Sequence, residues 1–181
     1  MSSRVGVLAL QGDFAQHISL LHSLDVECLE VRSRNDLEGI EALVIPGGES
    51  TTIAKALVRE NLIDSIREFA QSGRPVLGTC AGMVLLGDAH LSLIDVTVER
   101  NAFGSQVHSF EADLDYQGLE APPLRGLFIR APRVVRSGPD VEVLASIDGS
   151  AVAVRQDNMT AISFHPELIG ETRVHLQALD L

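Results

Sequence analysis

A cysteine held between two glycines is the residue best equipped to do chemistry in this chain. In Pro75-Val76-Leu77-Gly78-Thr79-Cys80-Ala81-Gly82 the apolar run Pro75 to Leu77 reads as a buried strand, and Met83-Val84-Leu85-Leu86 then opens a helical pattern. Cys80 therefore falls on a sharp strand-to-helix turn, a G-x-C-x-G counterpart of the nucleophile elbow G-x-S-x-G. Glycines suit such a turn because neighbouring backbone must pass where a Cβ would stand. The turn lifts the sulfur above the sheet and aims it at a helix N-terminus, where the dipole and free N–H groups favour a thiolate. An isolated cysteine is more often a packing residue. The two glycines and the strand-to-helix context single out Cys80 as the nucleophile.

A thiol nucleophile needs a base, and the base needs orienting. Of the six histidines, His17, His22 and His175 fall within helical patterns and read as surface or packing residues, while His90 and His108 lie in or beside turns. His165 differs: it follows the strand pattern Thr160-Ala161-Ile162-Ser163-Phe164, is fixed by Pro166, and has Glu167 two residues on. A histidine at a strand end sits where open α/β folds place chemistry, and a nearby carboxylate can hold one ring nitrogen and set the tautomer. The third piece is Pro46-Gly47-Gly48-Glu49-Ser50-Thr51-Thr52. Gly47 and Gly48 at a strand end leave backbone N–H groups free to line an oxyanion hole, although a plain tight turn accounts for them equally. Ser50 or Thr51 can cap the helix that follows. A phosphate loop is disfavoured, since no lysine follows the glycines and Glu49 would repel the anion. A carboxylate there suits a substrate bearing an ammonium or amide N–H.

These pieces need a scaffold, and the chain supplies a doubly wound one. Val5 to Leu10, Val26 to Val31, Ala42 to Ile45 and the strand before Cys80 are short apolar runs of the kind covered on both faces in a parallel sheet. Helical patterns separate them: one from Asp13, a candidate N-cap, through Phe14, Ile18, Leu21 and Leu24; one from about Thr51 to Val58; and one from Leu62 to Gln71, stopped by Gly73. Strand runs at 93–100, 106–111, 127–130, 141–147, 151–155 and 160–164, with a hairpin signal at Asp148-Gly149, make the second half β-rich before a final helix at about 171–178. The expected fold is α/β: a doubly wound, mixed but mostly parallel sheet flanked by helices (flavodoxin-like), with a small antiparallel extension, all in one domain over 1–181. A formal net charge of −11 argues against nucleic acid and anionic membranes. No apolar run approaches a membrane span, and Met1-Ser2-Ser3-Arg4 leads into a strand without the pattern of a cleavable signal. Two cysteines, Cys28 and Cys80, form neither a disulfide framework nor a metal spacing, so a reducing cytoplasm is expected, with Cys28 in the core.

Taken together, G-T-C-A-G, P-G-G-E-S-T-T, the terminal H-P-E, E-R-N-x-F-G at 99–104 and F-I-R-A-P at 128–132 resemble the glutaminase subunits of pyridoxal 5′-phosphate synthase, stand-alone triad (class I) glutamine amidotransferases. The likeness runs from about Val5 to Glu167, and its last two motifs with P-G-G-E-S-T-T are narrower than the elbow and H-P-E. The resemblance implies Cys80 as nucleophile, His165 as general base and acid, and Glu167 as the residue orienting His165. It implies glutamine binding by Gly48, Glu49, Ser50, Arg100, Ile129 and Arg130. An oxyanion hole would come from Gly47, Gly48 and the N–H of Ala81, completed by a partner-driven shift at the turn Gln11-Gly12. It further implies L-glutamine as substrate, no metal or organic cofactor, and a large assembly with a synthase subunit of the PdxS type, a TIM-barrel lyase. The segment at 87–92 is shorter than the loop such proteins usually carry. A rival reading, another cysteine hydrolase or thiol-dependent stress protein of the same layout, gives no reason for Glu49 and Arg100.

Overall fold

The computed structural model describes residues 3–103 and 108–181, and in its first half the apolar runs around Val7, Val44 and Leu77 become strands with both faces covered, while the run from Val26 to Val31 forms a half-exposed strand at the sheet edge. β1 (Arg4–Leu8), α1 (Phe14–His22), β2 (Glu27–Val31), β3 (Ala42–Ile45), α2 (Ser50–Arg59), α3 (Ile63–Gln71), β4 (Val76–Thr79) and α4 (Ala81–Leu86) follow one another. Next come β5 (Val96–Glu99), β6 (Ser109–Leu114), β7 (Leu124–Ile129), β8 (Arg133–Ser137), β9 (Glu142–Ile147), β10 (Ser150–Gln156), β11 (Met159–Ile162) and α5 (Arg173–Ala178). The main sheet has the order β2-β1-β3-β4-β11-β10-β8-β5, with β9 on β10. Its first five strands are mutually parallel. That is the doubly wound order with its switch between β1 and β3, where such sheets bind ligands.

Strand alternation divides the core into two layers. Leu8, Leu43, Ile45, Val76 and Ala161 face α2, α3 and α4 through Ile53, Leu57, Ile66, Phe69, Met83 and Leu85. Val5, Val7, Val44, Leu77 and Ile162 face the other way, onto Leu21 of α1, Val174 of α5 and Phe128 of β7. The antiparallel extension is the separate ribbon β6–β7. It is fastened by Phe128, whose ring stacks on Phe110 at 4.7 Å and touches Phe164 at 5.5 Å between centroids. That anchorage brings the end of β7, Ile129 and Arg130, to the ends of the parallel strands.

Several expectations shift. The run from Leu93 becomes strand only at Val96; β7 begins at Leu124; β6 runs Ser109–Leu114, while Gln106, where the strand was expected to start, and Gly104 of E-R-N-x-F-G lie outside the described residues. β8 was not anticipated, because only Val134 within it is buried and Arg133 and Arg136 point outward to Glu99 and Asp95. The hairpin at Asp148-Gly149 forms, with φ of 48° and 77° at the two turn residues, as a type I′ turn requires. Cys28 is half-buried in β2, and its thiol is pushed up to about 11 by burial, with Glu27 adding to it.

Candidate active site

Four of the five parallel strands end on one rim, and each delivers one piece: Gln11–Asp13 after β1, Gly47–Glu49 after β3, Cys80 after β4 and His165 after β11. Cys80 holds φ 50° and ψ −102°, a conformation an L-residue adopts at a cost of about 1–3 kcal/mol when the surroundings enforce it. Here they do. Its N–H donates to Ile162 O at 2.8 Å, and its carbonyl accepts from Met83 N at 3.0 Å. The glycines are there for close approach: a Cβ on Gly78 would meet Gly82 O at 2.7 Å, and one on Gly82 would meet Ile45 O at 2.2 Å. The sulfur sits 3.9 Å from Ile129 O, almost covered but facing the cavity.

His165 is set by the ribbon, its N–H donating to Leu127 O at 2.9 Å. Pro166 opens the 3₁₀ turn Pro166–Leu168, which curls Glu167 back beneath the imidazole. Nδ1 and Glu167 Oε1 lie 2.7 Å apart, both buried, so Nδ1–H donates to the carboxylate and Nε2 is left for the thiol. Burial alone would lower the His165 pKa, but hydrogen bonds to Cys80 and Glu167 and their negative charges outweigh it and raise it to about 10. Asp13 stands at the N-cap position of α1 yet makes no capping bond. Its carboxylate instead turns toward His165, 3.6 Å from Nδ1. Asp13, His165 and Glu167 could each offer an atom to a metal ion. Binding one would first break the His165–Glu167 bond, so the set reads as a charge-oriented histidine rather than a metal centre.

The rim encloses a cavity of about 420 Å³ lined by Cys80, His165, Ala81, Gln11, Gly12, Gly48, Glu49, Ser50, Arg100, Ile129 and Arg130. Gly47 and Glu167 are not in that lining: Gly47 lies directly behind the imidazole, where a Cβ would stand 2.5 Å from His165 Cε1, and Glu167 lies beneath it. The cap of α2 is Glu49, not Ser50 or Thr51. Its longer side chain reaches over the first turn to accept from Thr52 N at 2.9 Å and Thr51 N at 3.3 Å. Those hydrogen bonds, Thr52 foremost, hold its pKa below the usual glutamate range, with the Arg100 charge adding to them. Arg100 spans Glu49 and Thr51, at 3.0 Å from each. Arg130, with no carboxylate partner among the described residues, is the uncommitted cation of the cavity wall. The Gln11-Gly12 turn is pressed into the glycines of the next strand: Gln11 Oε1 accepts from Glu49 N at 2.9 Å, and Gly12 has φ +98° with Gly47 O filling the place of a Cβ. Among the described residues, no hydrogen bond engages the N–H of Gly48 or Ala81, which leaves both for an oxyanion.

The sequence carries little sign of what lies behind His165 and Glu167. His17 and His175 are fully buried, with His17 Nδ1 2.8 Å from His175 Nε2 and His17 Nε2 3.1 Å from Thr79 Oγ1. The available signal was the position of His17 on the inward stripe of α1 with Leu20 and Leu21. Burial, then the neighbouring His175 and His165, hold the His17 pKa well below 6.5; burial lowers that of His175 to about 4, against an opposing pull from Glu171. Both rings are therefore neutral in the native state at pH values where the unfolded chain already charges them. Stability should fall as pH drops from about 6.5 to about 4, by roughly 3 kcal/mol for His175 alone, in urea titrations followed by circular dichroism. His175→Phe should flatten that slope.

The model of the SNO glutamine amidotransferase family matches residues 7–179. The pyridoxal 5′-phosphate synthase subunit PdxT of Pelotomaculum thermopropionicum is 50% identical to this chain over 184 residues, covering 98% of this chain and 94% of its own length. The protein of the same name from Nocardia farcinica is 49% identical over 191 residues, covering 98% of this chain and 84% of its own. A crystal structure of a glutamine amidotransferase superposes with a TM-score of 0.91 at 44% identity, over 98% of this chain and 99% of that one. The PurLQS structure from Thermotoga maritima superposes with a TM-score of 0.81 at 19% identity, over 99% of each chain, a likeness of fold.

Proposed function

The chain belongs to the SNO glutamine amidotransferase family, and from that premise we propose that it is the glutaminase subunit of a pyridoxal 5′-phosphate synthase, hydrolysing L-glutamine to L-glutamate and ammonia. One observation carries the reading above the others: the strained Cys80 shares a rim with His165 and its buried partner Glu167, over a cavity that also presents Arg130, which has no carboxylate partner among the described residues. Arg130 takes the α-carboxylate of glutamine, and the Glu49–Arg100 pair frames its ammonium. The Cys80 sulfur, its proton held by His165, attacks the side-chain amide carbon. As the C–S bond forms, the carbonyl electrons move to oxygen, which rests on the N–H groups of Gly48 and Ala81. Collapse of the oxyanion breaks the C–N bond, and His165 delivers its proton to the departing ammonia through Nε2. Water, deprotonated by the same nitrogen, then attacks the thioester and releases glutamate.

Ammonia lost to solvent would be protonated, so the product passes to an acceptor, which we take to be a TIM-barrel synthase subunit of the PdxS type. The contact of Gln11 with Glu49 N, one residue from the oxyanion N–H of Gly48, supports a role for this turn in activation by that partner. Gly12 lets the turn rearrange where a side chain would obstruct it. The whole chain acts as one glutaminase domain, in the cytoplasm, where two free cysteines are at home. Glutamate release from glutamine, followed with and without the synthase subunit, tests the assignment. The expected result is turnover that rises when the subunit is added. A chain that cleaves peptides or esters but leaves glutamine intact in both conditions would overturn it.

A further inference from the structure

We propose that His17 is a positioning residue for the triad: its Nε2–H holds the second oxygen of Glu167, and His175 fixes the tautomer that makes this possible. The inference builds on the proposed use of Cys80, His165 and Glu167. The carboxylate of Glu167 gives Oε1 to His165 and keeps Oε2 buried without a hydrogen bond in the strict sense. Among the described residues the basic side chain paired with Oε2 is His17, whose Nε2 lies 3.6 Å away, and both side chains are sealed from solvent.

Proton counting decides what that nitrogen carries. A neutral His17 has one N–H for two contacts, with His175 at Nδ1 and with Thr79 and Glu167 at Nε2. Were the proton on Nδ1, Nε2 would set a lone pair against Oε2, and His175 would have to carry its own proton on Nδ1, the buried atom with no partner. An orphaned buried N–H is the rarer and costlier arrangement. With the proton on Nε2, every ring N–H faces an acceptor. His175 Nε2–H donates to His17 Nδ1, and His17 Nε2–H is shared between Thr79 Oγ1 and Glu167 Oε2. Only the bare acceptor His175 Nδ1 is left over. The line His175, His17, Glu167, His165, Cys80 then runs from α5 through α1 to the thiol. Because His17 N–H also bonds Asp13 O at 3.4 Å, the first turn of α1 links this line to the Gln11–Asp13 segment at the cavity mouth.

Side-chain geometry supplies the test. In place of His17, glutamine can present an amide N–H where Nε2–H stood, whereas asparagine reaches only the Nδ1 position facing His175. Alkylation of Cys80 by iodoacetamide at pH 7, read on the Cys80 peptide by mass spectrometry in the intact chain, reports thiol activation whatever the substrate. His17→Asn and His17→Leu should slow it about tenfold, as a displaced orienting group does, and His17→Gln should stay within about threefold of the parent. In glutamine turnover with the synthase subunit, the same Asn variant should lower kcat with KM little changed, since the substrate is held elsewhere. Melting temperatures are measured alongside. If the Asn and Gln variants lose reactivity equally, or all three rank by melting temperature alone, His17 is a packing residue and the proposal fails. Should alkylation follow the expected order while the parent leaves glutamine uncleaved with its partner, His17 keeps its role and the proposed substrate is wrong.

Discussion

Cys80→Ala is expected to reduce glutamate release by about 10⁴-fold or more, because removing the proposed nucleophile leaves only binding and oxyanion stabilisation to act on the amide. The same change should leave the fold in place. The bonds that enforce the elbow, Cys80 N to Ile162 O and Met83 N to Cys80 O, are made by backbone, and alanine meets the same conformational cost at φ 50° as cysteine does. Loss of the sulfur should also be felt by His165. Its pKa is raised against burial by hydrogen bonds to Cys80 and Glu167 and by their charges, so without Cys80 it should fall from about 10 toward 6.5. The sign of the stability effect follows. A base whose native pKa exceeds its unfolded one stabilises the fold below the unfolded value and loses that contribution as pH climbs through the native value. Cys80→Ala should therefore bring the alkaline decline in stability to lower pH, visible in urea titrations between pH 7 and 10. Undiminished glutamine turnover in this variant would assign the chemistry to another residue.

What could be read from the residues alone was what depends on neighbours in the chain. The elbow was legible because Gly78 and Gly82 bracket Cys80 and serve a steric need that no other residue type meets. The pairing of His165 with Glu167 was legible because Glu167 follows two positions on, across a proline that bends the chain back. Contacts between distant segments were not. Glu49 and Arg100 were each marked for substrate, yet they bind one another across 51 positions, and Glu49 also displaces Ser50 and Thr51 as the cap of α2. Asp13 looked like a cap because helix starts favour aspartate, but a nearby imidazole draws its carboxylate toward the cavity. His17 and His175 meet across 158 positions, and a histidine in a helical pattern carries no mark of whether it faces water or a carboxylate. The doubly wound parallel sheet followed from strand runs alternating with helical ones, whereas β8 escaped notice because its outward arginines hide its apolar face.

The steric argument for the elbow has its own large consequence, at Gly82 rather than at the nucleophile. A Cβ there would stand 2.2 Å from Ile45 O and 3.1 Å from Ile45 C, and both are backbone atoms that no rotamer change can withdraw. Gly82→Ala must therefore push α4 away from the end of β3. Every side chain of α4 is buried, so the displacement opens the layer formed by Met83, Leu85 and Leu86 while it crowds the strand. Overpacking of this kind costs about 1–3 kcal/mol where side chains can yield; with backbone as the obstacle, about 3 kcal/mol or more is expected, and a melting temperature lower by roughly 10 °C. Gly73→Ala separates this from glycine's conformational freedom. Gly73 has φ +85° and nothing within 4 Å of a Cβ, so alanine there meets only the left-handed backbone penalty of about 1–2 kcal/mol. Gly82→Ala should also disturb activity beyond its loss of stability. Ile45 leads directly into Pro46-Gly47-Gly48, and a strand end displaced by α4 carries with it the Gly48 N–H proposed to hold the oxyanion. A Gly82→Ala protein that melts within 2–3 °C of the parent would mean that α4 and β3 can part without strain, and that the close approach read from Gly82 does not hold the elbow.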